Sequence, residues 1–236
     1  MSDFFQRAKY QTFLADQPAS CRFAMFDRHG GASDGLFTSF NTSYTVGDRD
    51  FAVTDNRKKV KDILNIDSLV SARQVHGDRI FCLEKRPDAD CEIDGYDALV
   101  TDLLNVGIMI QHADCQAVLL FDPVRKVIGA VHCGWRGSVQ NILGKTVKTM
   151  TEAYHSRPED VLAVISPSLG PCCGEFINHH EELPADFQPF AVRGNHFDFW
   201  QISQAQLKVS GLSPSSITVT GICTSCSPDY FSYRRA

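Results

Sequence analysis

Short runs rich in Val, Ile and Phe alternate along the chain with stretches in which apolar residues recur every third or fourth position. The short runs predict strands over 21–26, 69–75, 79–84, 98–101, 107–112, 117–121, 127–133, 161–166 and 217–222. After Gly137-Ser138, the residues Val139, Ile142, Leu143, Val147, Met150 and Tyr154 share one face, which predicts a helix with Ser138 as its N-cap. A second helix is predicted over 51–64. There Val53, Val60, Ile63 and Leu64 form the apolar stripe, while Arg57, Lys58, Lys59 and Lys61 mostly stay off it and read as a solvated face. Two close connections, Val75-His76-Gly77-Asp78-Arg79 and Asp122-Pro123-Val124-Arg125-Lys126, read as hairpin turns, so the sheet should be mixed and partly antiparallel. No Pro/Gly/Ser-rich linker or internal repeat interrupts the pattern, and a layered α/β fold in one compact domain is expected.

Composition narrows the function classes. Hydrophobic residues make up 43% of the chain and charged residues 22%, enough for a substantial core and far from a disordered sequence. A net charge of −5 provides no broad positive field, which argues against nucleic acid or a membrane surface as a main partner and leaves room for a local basic pocket. Met1 to Ser20 carry Asp3 and Asp16 among scattered Phe and Gln, without the apolar core of a signal peptide. The longest apolar stretch, 106–121, is broken by Gln111, His112, Asp114 and Gln116. A cytoplasmic location is therefore expected. The nine cysteines read as reduced thiols, with Cys21, Cys82, Cys91 and Cys133 packing as small hydrophobes. Neither a GxGxxG after a strand nor a GxxxxGK[ST] is present.

Three segments place metal-competent or reactive side chains at strand ends: Gln74-Val75-His76-Gly77, Ala113-Asp114-Cys115-Gln116 and Val131-His132-Cys133-Gly134-Trp135-Arg136-Gly137. One His from each of two segments and one Cys match the three protein ligands of a catalytic zinc that keeps a fourth position open. The same atoms allow a metal-free reading, with Cys115 as nucleophile, His132 as its base and Asp114 as an orienting group. His112 and Cys133 flank these segments, but strand alternation turns them away from Cys115 and His132. Cys223-Thr-Ser-Cys226 is a CxxC that suits a redox pair or half of a structural zinc site. No second CxxC exists, and Cys172-Cys173 is a poor substitute for one. Arg28, Arg57, Arg136 and Arg234 each sit beside Gly, aromatic or amide residues, as in loops that approach an anion.

Taken together and in order, the segments resemble the YfiH-like proteins, also called laccase-domain or multicopper polyphenol oxidase proteins and more recently purine nucleoside phosphorylases. The resemblance is carried by Arg28-His-Gly-Gly, Gly47-Asp48, Asn56-Arg57, Gln74-Val-His-Gly, Asp97-Ala-Leu-Val-Thr101, Ala113-Asp-Cys115, Val131-His-Cys-Gly-Trp-Arg-Gly137, Gly170-Pro171, Cys223-Thr224 and Phe231-Ser-Tyr-Arg-Arg235. It implies a single three-layer α/β/α domain over residues 1–236 and a zinc held by His76, Cys115 and His132. It also implies phosphorolysis of adenosine, inosine, guanosine and methylthioadenosine, together with hydrolytic deamination of adenosine. The chain departs from the family pattern at Phe26-Asp27-Arg28 and at Cys172-Cys173-Gly174-Glu175-Phe176.

For deamination, zinc with an open position makes water a nucleophile near neutral pH, with Asp114 either carrying a proton or, preferably, orienting its neighbour Cys115. For phosphorolysis, Arg28, Arg57, Arg136 and Arg234 are the candidates for phosphate or substrate, and Asn41, Gln74 and Ser232 for nucleoside hydroxyls. The expected partners are purine nucleosides and phosphate, on a monomer or weak homodimer. Three alternatives stand beside this reading: a metal-free cysteine hydrolase or deamidase, a closed metal-storing or partner-binding site, and a copper-binding polyphenol oxidase. Copper could replace zinc as occupant, although the chain has no HxH pair of the kind that multicopper sites use.

Overall fold

A computed structural model describes residues 21–236 and the backbone of Tyr10–Gln11. The rest of Met1 to Ser20, where no secretory leader is expected, lies outside the described residues.

The strands are β1 (Tyr10–Gln11), β2 (Met25–Phe26), β3 (Ser68–Arg73), β4 (Ile80–Cys82), β5 (Cys91–Asp94), β6 (Ala98–Thr101), β7 (Val106–Met109), β8 (Gln116–Asp122), β9 (Val127–Cys133), β10 (Leu162–Ile165), β11 (Ala191–Arg193), β12 (His196–Phe197) and β13 (Ile217–Val219). The helices are α1 (Asp50–Leu64), α2 (Trp135–Val139), α3 (Ile142–Tyr154), α4 (His179–Glu182) and α5 (Phe199–Val209). A six-stranded sheet runs β13-β10-β8-β9-β6-β4, and a three-stranded sheet runs β5-β3-β7. The larger sheet is mixed: β8 pairs antiparallel with β9 and β10, whereas β10 and β13 are parallel, as are β4 and β6.

Side-chain alternation along β6 explains how the layers stack. Ala98 and Val100 point to one face, where they pack with Ile142, Leu143, Val147 and Met150 of α3 and Leu207 of α5. Leu99 points to the other and meets Val70 and Ala72 of β3. Leu69 turns to the far side of β3, against Val60 of α1 and Phe40. The α/β/α arrangement expected from the sequence thus has a middle layer two sheets thick, with α3 and α5 outside one sheet and α1 outside the other.

Several local expectations change. Val75 to Arg79 is not a hairpin, because β3 and β4 belong to different sheets. His76 takes a left-handed φ of 58°, and the N–H groups of Val75, His76 and Gly77 donate to the Asp97 carboxylate instead of to a neighbouring strand. The connection at Asp122 to Lys126 is a hairpin, in which Asp122 Oδ1 accepts from the N–H groups of Val124 and Arg125. Ser138 lies inside α2, where its hydroxyl bonds Gly134 O. The long helix begins afresh at Asn141, whose side chain caps Gly144 N. Within the basic run of α1, Arg57 is buried with Asn56 on the packed face and is not part of the solvated one. The strands β5, β11 and β12 and the helix α5 were not anticipated. Among the described residues, no helix is long and apolar enough to cross a membrane.

Candidate functional site

The β8–β9 register builds most of the site. Ala117 pairs with His132 and Gln116 with Cys133, so Cys115, two residues before Ala117, emerges on the same face as His132. Cys133 goes the other way, into the core under α3, with its sulfur 3.3 Å from Ser138 Oγ. His76 is presented by the left-handed turn after β3. The ligand atoms of His76, Cys115 and His132 all lie within 4.8 Å of one another, and the two imidazoles meet edge to face with centroids 4.8 Å apart.

Asp97 organises the centre, and sequence reasoning gave it no role. It is fully buried at the start of β6; its Oδ1 lies 2.8 Å from His132 Nδ1 and accepts from His76 N at 2.9 Å, while Oδ2 accepts from Gly77 N at 2.8 Å. The His132 main chain is tied to the same residue, its N–H donating to Asp97 O at 2.7 Å. With Nδ1 engaged, Nε2 is the nitrogen left for a metal. The available signal was an Asp directly before the apolar run Ala98-Leu99-Val100, a carboxylate that burial obliges to find donors.

The electrostatics match this geometry. Burial opposes ionisation of Cys115, but hydrogen bonding to His132 and His76 outweighs it, and the thiol comes down to about 7. Burial also opposes charge on His132; contact with Asp97 and with Cys115 overrides it and lifts the ring to about 9. Burial likewise works against ionised Asp97, while His132 and the Gly77 and Val75 N–H groups hold its carboxyl below the ordinary value. In Cys133, by contrast, burial pushes the thiol up to about 12, as befits a packing residue. Two imidazoles and one readily ionised thiol at this spacing form a donor set that fits zinc. Close approach is enforced at Gly134: a Cβ there would sit 3.0 Å from Cys115 Sγ and 3.2 Å from His76 Cδ2.

A cleft of about 1590 Å³ opens over the three donors, walled by Phe26, Phe40, Met109, Trp135, Phe176 and Phe231. Arg28, Arg136 and Arg234 line it, as do Asn41, Gln74 and Ser232. Arg28 Nε donates to Thr38 O and its guanidinium lies over Phe231; its two Nη groups have no partner among the described residues. Arg136 stacks on Trp135, and Arg234 donates through Nη2 to Glu175 O. Arg57 lies off this cleft, its guanidinium donating to Thr42 O, Ser71 Oγ and Glu92 Oε1. The Asn41 and Gln74 amides are engaged in shaping the walls, the first with Ser43 and Asp48, the second with both main-chain groups of Gln111. Ser232 Oγ accepts from Arg235 N. Asp114 is a junction: its carboxylate accepts from Thr224 Oγ1 at 2.7 Å and Arg234 N at 2.6 Å, and its carbonyl from Leu169 N.

The structure also brings Cys172 and Cys173 to the CxxC of Cys223 and Cys226, forming a second group with sulfurs within 4.8 Å of one another.

Comparison with known proteins agrees with the motif resemblance. Residues 22–236 match the family described as multi-copper polyphenol oxidoreductase laccase. The chain is 32% identical over 225 residues to the purine nucleoside phosphorylase YlmD of Bacillus subtilis, covering 88% of this chain and 81% of that one. Among solved structures it is similar to the hypothetical protein YfiH of Bacillus licheniformis, with a TM-score of 0.80, 30% identity and coverage of 90% and 86% of the two chains. YlmD from Geobacillus stearothermophilus gives a TM-score of 0.81 at 28% identity, over 99% of this chain and 88% of that one. In sequence and in fold, the chain belongs to the YfiH-like family of multi-copper polyphenol oxidoreductase laccase proteins.

Proposed function

We propose that this chain is a zinc-dependent purine nucleoside enzyme. It would cleave adenosine, inosine, guanosine and methylthioadenosine with phosphate to give the base and ribose 1-phosphate, and deaminate adenosine to inosine. The observation that carries the reading is the convergence of His76, Cys115 and His132 beneath a cleft lined by Arg28, Arg136 and Arg234. The names of the relatives support the substrate class.

His76, Cys115 and His132 would hold the ion, which supplies Lewis acidity and lets water act as a nucleophile near neutral pH. Two nitrogens and one sulfur also suit a blue-copper centre, but the chain has no HxH pair of the kind that multicopper sites use, which favours zinc over copper. Asp97 fixes the His132 ring and the His76 main chain, so two donors keep their direction without moving during turnover. Aromatic walls bury a purine face, and the guanidiniums hold phosphate while negative charge builds on the leaving base. Asp114 acts as an orienting residue, because both its carboxylate oxygens already accept hydrogen bonds. Asn41, Gln74 and Ser232 contribute by shaping the walls around the sugar.

The test is incubation of the zinc-loaded protein with adenosine and phosphate, followed by chromatography. Adenine with ribose 1-phosphate, or inosine, is expected, and both should be lost in Cys115→Ala and His76→Ala. Absence of all three products would overturn the reading.

A second reading rests on the lowered Cys115 thiol beside the raised His132 ring. Without metal these form a thiolate–imidazolium pair oriented by Asp97, the arrangement of a cysteine hydrolase. Chelator-treated protein that keeps activity sensitive to Cys115→Ala would favour it.

A further inference from the structure

Beyond the nucleoside site, Cys172-Cys173 and Cys223-Thr-Ser-Cys226 stand far apart in sequence and lie on loops that the sheet brings side by side. The parallel pairing of β10 with β13 continues past the strand ends: Ser168 N donates to Ile222 O at 3.1 Å, and Thr224 N to Ser168 O at 3.0 Å. The first loop then turns tightly, with Cys173 N donating to Gly170 O, which sets two neighbouring thiols over the CxxC. Gly170 is needed there. A Cβ at this position would fall 2.8 Å from the Trp200 ring and 3.0 Å from Cys223 Cβ.

The sulfur spacing is informative. Cys226 Sγ lies 3.6 Å from that of Cys172 and 3.5 Å from that of Cys173, and all four sulfurs fall within 4.8 Å of one another. A disulfide requires about 2.05 Å. Four thiolates around one zinc at about 2.3 Å sit, by tetrahedral geometry, roughly 3.8 Å apart. The surroundings suit the excess negative charge of such a site. Gly170 N donates to Cys223 Sγ, Arg193 Nη2 donates to Cys172 O, and Arg235 Nη1 donates to the carbonyls of Thr224, Ser225 and Ser227 around the CxxC loop.

We propose that Cys172, Cys173, Cys223 and Cys226 bind one zinc ion as a four-thiolate structural site, separate from the centre at His76, Cys115 and His132. On binding, the four thiols release their protons to solvent and the ion takes four sulfur ligands, with no change of oxidation state. The site clamps the loop after β10 to the loop after β13. Its effect reaches the cleft through Thr224, the residue after Cys223, whose hydroxyl holds the Asp114 carboxylate next to Cys115.

The test uses the full chain, purified under reducing conditions and loaded with zinc alone, with metal counted by mass spectrometry. A His76→Ala/Cys115→Ala variant should retain one zinc per chain whether or not the nucleoside reading holds. Adding Cys226→Ser should abolish stoichiometric binding, whereas Cys226→His, which keeps a tetrahedral donor set, should restore it. Cobalt added in place of zinc should give intense sulfur-to-metal charge-transfer absorption in the double variant, lost with Cys226→Ser. Circular dichroism separates loss of a ligand from loss of the fold, and Cys172→Ser, at an exposed position, provides an independent removal. A metal-free double variant would overturn the proposal, as would a non-reduced intact mass lighter by two hydrogens, the mark of a disulfide.

Discussion

The Asp97 carboxylate and the His132 imidazole lie 2.8 Å apart, fully enclosed, and the same carboxylate accepts from the main-chain N–H of His76. One side chain therefore aims two of the three candidate ligands. Asp97→Asn keeps the volume and removes the charge, and it should lower zinc affinity about 10- to 100-fold. Competition against a chromogenic chelator measures this; unchanged affinity would remove Asp97 from its positioning role.

The same pair makes stability depend on pH. His132 is raised from 6.5 to about 9, so in metal-free protein its contribution is whole below pH 6.5 and is lost as the pH climbs towards 9. Asp97 is lowered from 3.8, so its contribution is whole above that value and is lost as acid protonates the folded carboxyl. The metal-free protein should gain most from the pair between pH 3.8 and 6.5. Zinc held at His132 would displace the ring proton, so in a Cys226→Ser background, which removes the four-cysteine site, the rise in Tm produced by saturating zinc should grow from pH 6.5 to 9. A flat increment in thermal melts would count against His132 as a ligand.

Gly134→Ala places a methyl group against Cys115 Sγ and His76 Cδ2. The backbone there is ordinary, with φ at −73°, so the cost falls on the donor arrangement and not on the chain. The zinc at this centre should be lost, lowering the content by about one ion per chain, while the four-cysteine site stays loaded and the far-ultraviolet spectrum is kept. Retention of full zinc would mean that the donors can spread.

Arg57 and Arg28 should separate cleanly. Arg57 forms a largely buried pair with Glu92, a residue of the cleft wall, while its own side chain stays outside the lining, so Arg57→Ala should cost about 3–5 kcal/mol in urea unfolding. Its KM for phosphate should stay near that of the parent. Arg28→Ala should do the reverse, raising KM for phosphate with little loss of stability. An exchange of these two outcomes would reassign the anion site.

Much of this was legible in the sequence because it is local. The runs at 98–101 and 127–133 coincide with β6 and β9, since their continuous apolar character reflects burial on both faces. The three donor segments stood out because His and Cys sit at strand ends. What escaped depends on distant partners. The Asp97–His132 contact spans 35 residues, and no spacing rule encodes it. The four cysteines meet only because β10 and β13 pair in parallel across the intervening α5. Helix α5 was hidden by the Gln residues that interrupt its apolar face, although Asp198, which caps Gln201 N, was a usable start signal. The turn at His76 resembled a hairpin because the apolar runs flanking it do not reveal that they enter different sheets.

The β8–β9 hairpin also implies an order of assembly. Cys115 and His132 are carried by adjacent strands joined by a short turn, so they come together as soon as that hairpin closes, a microsecond event in small peptides. His76 arrives only when the three-stranded sheet docks on the six-stranded one. A nascent chain would thus offer a metal two donors early and the third late, and the last ligand to arrive would report that the two sheets have locked together.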